Sequence, residues 1–353
     1  MTDSDNLNGI PEAMQAHVRG LLETLQGESP HKRALLLDTI RVIASCDNAG
    51  DMKMVSSTIH DIGKGLEVFK PYQAIRKVSI FGSARTPQDD PRFQQVKKCA
   101  SILRDNGLMV ITGGGGGIMH AANEGAGEEH SFGININLPL EQLPNPIVDG
   151  SSRHFYCKHF FVRKLFFLKE SDAVILAPGG FGTLDEGFET LTLLQTGRTP
   201  PVPVVLLEAP GDDYWGPFVN SWVRRLVDDH LIDANDHHFL YHTDSAEAAV
   251  QHITSFYSNY HSFRYVGEWA LLRIDSPLSD GDLRRLNAEF SDVLDQGAIE
   301  QVFHWPKSDS HEFDHLPRLR MKLDRGRMNV LPEIIRRMNG LVNDSNGDSS
   351  LAK

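Results

Sequence analysis

From Lys77 to about Tyr257, short continuous apolar runs alternate with segments whose apolar residues recur every three to four positions. The runs predict strands over 78–82, 108–112, 132–137, 173–177 and 202–207. The periodic segments predict helices over 92–106, 118–127, 160–170, 184–196, 215–229 and 245–257. Strands without internal alternation are buried on both faces, so this rhythm predicts an α/β fold, a doubly wound parallel sheet covered by helices on each side. The first 70 residues carry helical spacing alone, over 13–25, 32–44 and 52–69. Beyond Phe263 the pattern changes to a strand (269–274), a helix (280–294), strands near 299–303 and 319–323, and a helix (330–338). Four zones follow: a helical N-terminal extension (1–70), a nucleotide-binding catalytic domain (71–260), a small α+β C-terminal domain (261–342) and a polar tail expected to be disordered (343–353).

Two of the predicted strands run into glycine-rich turns that open helices. The first turn is Gly113 to Gly117, five consecutive glycines followed by Ile118-Met119-His120. The second is Pro178-Gly179-Gly180-Phe181-Gly182-Thr183-Leu184-Asp185-Glu186, with Thr183 as the expected N-cap. Backbone N–H groups at a helix start, reinforced by the helix dipole, suit a phosphate. Neither turn matches the dinucleotide pattern G-x-G-x-x-G, and neither carries the Lys-Ser/Thr pair of an ATP-type phosphate loop. Two such turns on one parallel sheet point to a single nucleotide-sized site in a Rossmann-like domain. Glu186 stands out because a carboxylate beside an anion site repels the anion, which suggests chemistry near the phosphate.

The combination resembles the LOG ("lonely guy") family, the cytokinin-activating proteins long labelled lysine decarboxylases. Residues Pro178 to Glu186 match its PGGxGTxxE hallmark at every fixed position, and Arg163-Lys164 match its Arg-Lys pair on the preceding helix. Gly117-Ile118-Met119 is similar to its Gly-(Leu/Ile)-Met turn, and Phe81-Gly82-Ser83 to its first strand and turn. The resemblance covers roughly residues 75–258, so the terminal zones are departures from it. It implies hydrolysis of the N-glycosidic bond of a nucleoside 5′-monophosphate, AMP-type or a cytokinin ribotide, to free base and ribose 5-phosphate. It implies no metal and no organic cofactor, and a homodimer or higher homo-oligomer whose sites border the partner subunit. Arg163 and Glu186 become the expected catalytic pair. The expected substrate-binding set is Ser83, Gly114, Gly115, Gly116, Met119, Lys164, Gly179, Gly180, Gly182 and Thr183.

The chemistry can be argued from the residues themselves. With a phosphate on the Gly179–Thr183 turn, the ribose lies near Glu186. A carboxylate there can stabilise an oxocarbenium-like sugar and orient a water. Arg163 would hold phosphate or a ribose hydroxyl, or neutralise charge on the departing base, and would keep Glu186 ionised by lowering its pKa. On sequence alone a helical Arg-Lys pair reads as a solvated face; its spacing to Glu186 reverses that. Ser83 either touches ligand or caps the next segment.

Charge and composition narrow the classes. The formal net charge of -12 argues against nucleic acid as a partner. No apolar stretch approaches the ~20 residues needed to span a bilayer, and the first residues resemble no export signal, so a cytoplasmic protein is expected. Cys46, Cys99 and Cys157 are scattered, as in a reducing compartment. No carboxylate ligand pattern supports a metal at His237, His238 and His242, and the run His311-Glu312-Phe313-Asp314-His315, though it has ligand-type residues, falls in an expected loop of the C-terminal zone, so no metal is assigned. Phe160, Phe161, Phe166 and Phe167 read as core or dimer packing. Lysine decarboxylation is rejected, because it needs pyridoxal phosphate on a buried lysine in a Schiff-base setting. The alternative is a non-catalytic nucleotide or molybdenum-cofactor carrier or sensor of the same fold, against which the presence of both Arg163 and Glu186 argues.

Overall fold

The computed structural model describes residues 7–137, 143–303, 313–323 and 325–347. The chain forms two units, Met1–Lys64 and Gly65–Lys353. In the first, helices α1 (Glu12–Thr24) and α2 (Pro30–Ser45) bury Val18, Leu22, Leu37 and Ile40 together, and α3 (Ala49–Phe69) starts here and continues into the second unit. Ser29 caps α2 by accepting from the His31 N–H at 3.3 Å, with Pro30 at the first helical position.

The second unit is built on a seven-stranded parallel sheet. Its strands are β1 (Lys77–Phe81), β2 (Met109–Thr112), β3 (Ser131–Ile136), β4 (His154–Cys157), β5 (Ala173–Leu176), β6 (Val204–Leu207) and β7 (Leu240–Thr243), in the order β4-β3-β2-β1-β5-β6-β7. The chain works outward from β1 in one direction and then returns to β5 beside it. The switch point therefore lies between β1 and β5, where a parallel sheet opens a crevice at the carboxyl ends of its strands. Helices α4 (Pro91–Asp105), α5 (Ile118–Ala126), α6 (Phe160–Lys169) and α7 (Phe181–Gln195) connect the strands. After β6 come α8 (Trp215–Pro217), a π-helical turn (Phe218–Val223) and α9 (Arg224–Asp228), then α10 (Ala246–Phe256) after β7. One face of the sheet buries Val78, Ile80, Val110 and Ile175 against α4, α5 and α10, through Phe93, Leu103, Ala121 and Ile253.

An antiparallel sheet of order β10-β11-β9-β8 follows, made of β8 (Tyr260–Val266), β9 (Trp269–Ile274), β10 (Leu294–Val302) and β11 (Arg318–Leu323). Helices α11 (Asp280–Phe290) and α12 (Leu331–Gly347) pack on it, closing a core around Leu272, Leu286, Leu319, Ile334 and Met338. Ser279 caps α11 through the Asp282 N–H at 3.1 Å.

Three strands escaped the sequence reading. β4 and β7 are four-residue edge strands reading His-Phe-Tyr-Cys and Leu-Tyr-His-Thr, too short and mixed to register as apolar runs. β8 alternates only weakly and follows a helix without a strong turn signal. The helix predicted over 215–229 is broken by the π-helical turn. The last helix continues to Gly347, past Asn343 where a disordered tail was expected; residues 348–353, and His311 and Glu312 of the acidic-histidine run, lie outside the described residues.

Candidate active site

The turns after β1, β2 and β5 meet at the switch point, and Ser83 joins them. Its N–H donates to the Pro178 carbonyl at 3.0 Å, and its carbonyl accepts from the Ile118 N–H at 2.9 Å. Its hydroxyl accepts from the Arg85 N–H at 3.1 Å, so Ser83 acts first as the backbone bridge between the two glycine turns.

Gly114 and Gly117 adopt φ of 70° and 60°, a region L side chains rarely enter. A Cβ on Gly117 would also stand 2.3 Å from the Ser83 carbonyl oxygen. Asn145, unsuspected from sequence, holds this loop. Its N–H donates to the Gly114 carbonyl at 2.8 Å, and its side-chain amide to the Gly115 carbonyl at 3.0 Å and to Asn123 Oδ1 at 2.9 Å. Thr112 Oγ1 donates to the same Asn123 oxygen and accepts from the Gly114 N–H, at 2.7 and 2.9 Å. Asn123 is thereby structural. The signal that could have found Asn145 is its place between Pro144 and Pro146.

The second turn differs from expectation in one detail. Helix α7 starts at Phe181 with Gly180 as its N-cap, not at Leu184 with Thr183 as the cap. Thr183 is buried in the first turn, facing Gly179 closely enough that a Cβ there would meet its Oγ1 at 2.1 Å. The Thr183 and Leu184 N–H groups donate to the Gly180 carbonyl at 3.1 and 3.2 Å, so the N–H groups at the open helix start are those of Phe181 and Gly182, the end a helix offers to an anion. Tyr214 Oη donates to the Gly179 carbonyl and fixes the turn from the far side, another residue the sequence reading missed. A Cβ on Gly180 or Gly182 would touch nothing within 4 Å. Phe181 projects into the open, 93% exposed.

Glu186 lies in the second turn of α7, only 5% exposed, and its Oε2 is buried with no hydrogen-bond partner. Burial pushes its pKa up to about 7, against the pull of Lys164 and Arg163 and with the help of Asp185 and Glu189. The expectation that Arg163 would keep this carboxyl ionised by lowering its pKa is therefore corrected. Desolvation outweighs the cations, by roughly 3 kcal/mol against the charged form. Arg163, on α6, has its own pKa lowered by burial, opposed by Glu186 and Cys157. Its guanidinium lies 5.5 Å from the Phe160 ring centroid and 5.3 Å from that of Phe167, and its Nε is buried without a partner. Gly113, absent from the expected site, links it to the first loop: a Cβ there would stand 2.7 Å from Met119 Sδ and 3.7 Å from Arg163 Nη1. Lys164 turns to α7 instead, 2.8 Å from Asp185 and 2.7 Å from Glu189.

The turns and helix starts at the switch point thus carry Ser83, Gly114, Gly115, Gly116 and Met119 on one side and Gly179, Gly180, Gly182 and Thr183 on the other, while Arg163 on α6 and Glu186 on α7 feel each other's charge. The remaining candidates lie elsewhere. His120 stacks edge-on against Phe93, and His242 pairs with Glu208 at 2.7 Å. Among the described residues no three His, Cys, Asp or Glu side chains cluster as a metal site.

Residues 116–253 match the family described as "possible lysine decarboxylase". Over 187 residues the chain is 31% identical to the cytokinin riboside 5′-monophosphate phosphoribohydrolase LOG5 of Arabidopsis thaliana, covering 51% of this chain and 78% of that protein. The chain belongs to the LOG family. Its likeness to LOG1 of the same plant is 27% over 205 residues, 56% of this chain and 92% of the relative. Among solved structures it is similar to the molybdenum cofactor binding protein of Rippkaea orientalis, at 20% identity and a TM-score of 0.36, over 51% of this chain and 95% of that one.

The decarboxylase description would call for pyridoxal phosphate, and the LOG-family site here does not fit it. Among the described residues the buried lysine is Lys77, at the amino end of the central strand β1, the end opposite the glycine turns. Its ammonium donates to the Ile75 carbonyl at 2.8 Å, beside Asp172 and Glu170. Lys164, beside Arg163 on α6, is taken up by acidic side chains.

Proposed function

We propose that the protein is a nucleoside 5′-monophosphate phosphoribohydrolase that hydrolyses the N-glycosidic bond of AMP-type nucleotides or cytokinin ribotides. The observation that carries this reading is that the buried Oε2 of Glu186 and the buried Nε of Arg163 both lack a hydrogen-bond partner, on and beside the helix that starts at the glycine-rich turn. Buried polar atoms without partners are rare and mark places where a ligand completes the hydrogen bonding. The substrate phosphate sits on the N–H groups of Gly180 to Gly182, with the Gly114–Gly116 backbone closing from the other side. The ribose then lies over Glu186. As the bond to the base lengthens, positive charge grows on the anomeric carbon, and the carboxylate stabilises it while holding a water. A pKa near 7 suits Glu186 to take a proton from that water at neutral pH. Arg163 balances negative charge on the phosphate or the departing base.

The curated relatives named as cytokinin riboside 5′-monophosphate phosphoribohydrolases support the substrate class. The exposed apolar side chains of Phe160, Phe161 and Leu165, on the same helix as Arg163, support a homodimer that borders the site.

Incubation with AMP, GMP, CMP and N6-isopentenyl-AMP, followed by chromatography for free base, tests the function. Base and ribose 5-phosphate appear with the wild type and not with Glu186→Ala. Tight nucleotide binding without base release would instead make the protein a carrier or sensor.

A further inference from the structure

Lys164 is poorly free to meet a phosphate. Its Nζ lies 2.8 Å from Asp185 Oδ2, 2.7 Å from Glu189 Oε2 and 3.9 Å from Glu186 Oε2, and its side chain is only 16% exposed. An ammonium has three N–H bonds. All three have acceptors already, Asp185 Oδ2, Glu189 Oε2 and, at 3.5 Å, the Asp185 carbonyl, and Glu186 is left at ion-pair range with Oε2 unbonded. Asp185 and Glu189 are i,i+4 neighbours on α7, and Glu186 and Glu189 are i,i+3, so the three acids share the side of the helix that Lys164 reaches from α6. Glu189 is half-buried, between the buried Glu186 and the exposed Asp185, and it also lines a cavity of about 680 Å³ walled by Leu193, Arg198 and Tyr257.

We propose that Lys164 is a positioning residue for Glu186 rather than a substrate ligand, and that Glu189 competes with Glu186 for its ammonium. This rests on the nucleosidase reading for its catalytic meaning, but the pairing itself is a property of α6 and α7. When Lys164 leans to Glu189, Glu186 keeps its proton; when it leans to Glu186, the carboxylate faces the ribose charged. The groups acting on Glu186 are Lys164 and Arg163 from α6, and Asp185 and Glu189 from its own helix. The two cations favour the charged form and the two acids oppose it. Loss of Lys164 and loss of Glu189 therefore have opposite effects, which a packing role for either would not produce.

The test is the pH dependence of kcat/KM for base release in the wild type, Lys164→Met, Lys164→Arg and Glu189→Gln. A ¹³C NMR titration of the Glu186 carboxyl, assigned by its loss in Glu186→Gln, accompanies it. In Lys164→Met the acid limb and the NMR midpoint move to higher pH by about one pH unit. In Glu189→Gln both move to lower pH, and Lys164→Arg returns them toward the wild type. A raised KM in Lys164→Met with an unmoved limb and midpoint would overturn the proposal and restore Lys164 as a substrate ligand. Movement of both variants in the same direction would overturn the competition. The NMR titration needs no substrate, so it decides the pairing even if no nucleotide is hydrolysed, an outcome that would defeat the nucleosidase reading alone.

Discussion

Glu186 is costly to the fold and central to the proposed reaction. Its pKa near 7 lies above the ordinary carboxylate value that it regains on unfolding. Relative stability is therefore full below the unfolded value and is lost as pH rises toward and through 7. Glu186→Gln removes the buried charge while keeping the shape. Base release by this variant falls at least a thousandfold, while its unfolding free energy at pH 8 exceeds that of the wild type by of order 2 kcal/mol. At pH 4.5 the stability gain nearly vanishes. Urea denaturation at the two pH values measures this, and equal gains at both would show that charge is not the cause. For the wild type, base release climbs with pH through about 7 as Glu186 ionises.

At the scale of the element, the two glycine turns are built differently, and substitutions separate structural from ligand-facing glycines. Gly117→Ala meets both a positive φ and the Ser83 carbonyl, so it loses roughly 2–4 kcal/mol of stability in denaturant titrations. Gly180→Ala has an extended backbone and open space around its Cβ. That variant folds with wild-type stability, but its new methyl occupies the proposed phosphate position and raises KM for AMP at least tenfold. An unchanged KM would move the phosphate away from α7. Asn145→Ala removes the side-chain partner of the Gly115 carbonyl and of the Ile147 N–H, and leaves Asn123 Oδ1 with the Thr112 hydroxyl alone. The cost is about 2–3 kcal/mol in urea unfolding, with poorer substrate binding because the first loop loosens. The two prolines around Asn145 mark it as a fixed turn, but its role was illegible in the sequence because it acts from 30 residues away, across a connection with no periodic pattern.

For the whole molecule, the candidate site lies where the strand order reverses, and its proposed catalytic pair, Arg163 and Glu186, comes from α6 and α7, on opposite sides of β5 in the chain. Phe160 and Phe161 are exposed on α6 while Phe166 and Phe167 are buried, so the four phenylalanines divide between an outer face and the core. A second copy is the expected cover for the outer face. Sedimentation of the wild type then gives a dimer or larger assembly, and Phe161→Glu with Leu165→Glu shifts it to monomer and depresses base release. A wild-type monomer with full activity would remove the partner from the site. No helix among the described residues is long and apolar enough to cross a membrane.

The parallel-sheet architecture and the motif were legible because they depend on local order: apolar runs, glycine at helix starts, and a carboxylate at fixed spacing along α7. Short edge strands such as β4 and β7 were not, because their pairing comes from a neighbour rather than from their own pattern. The sequence alone determined which residues carry charge near the loops. The tertiary structure decided what those charges are worth: burial raises Glu186 where a neighbouring arginine suggested the opposite, and packing of α6 on α7 turns Lys164 toward three carboxylates. Solvent exclusion and the sharing of one ammonium arise only when distant segments meet, so no local pattern can encode them.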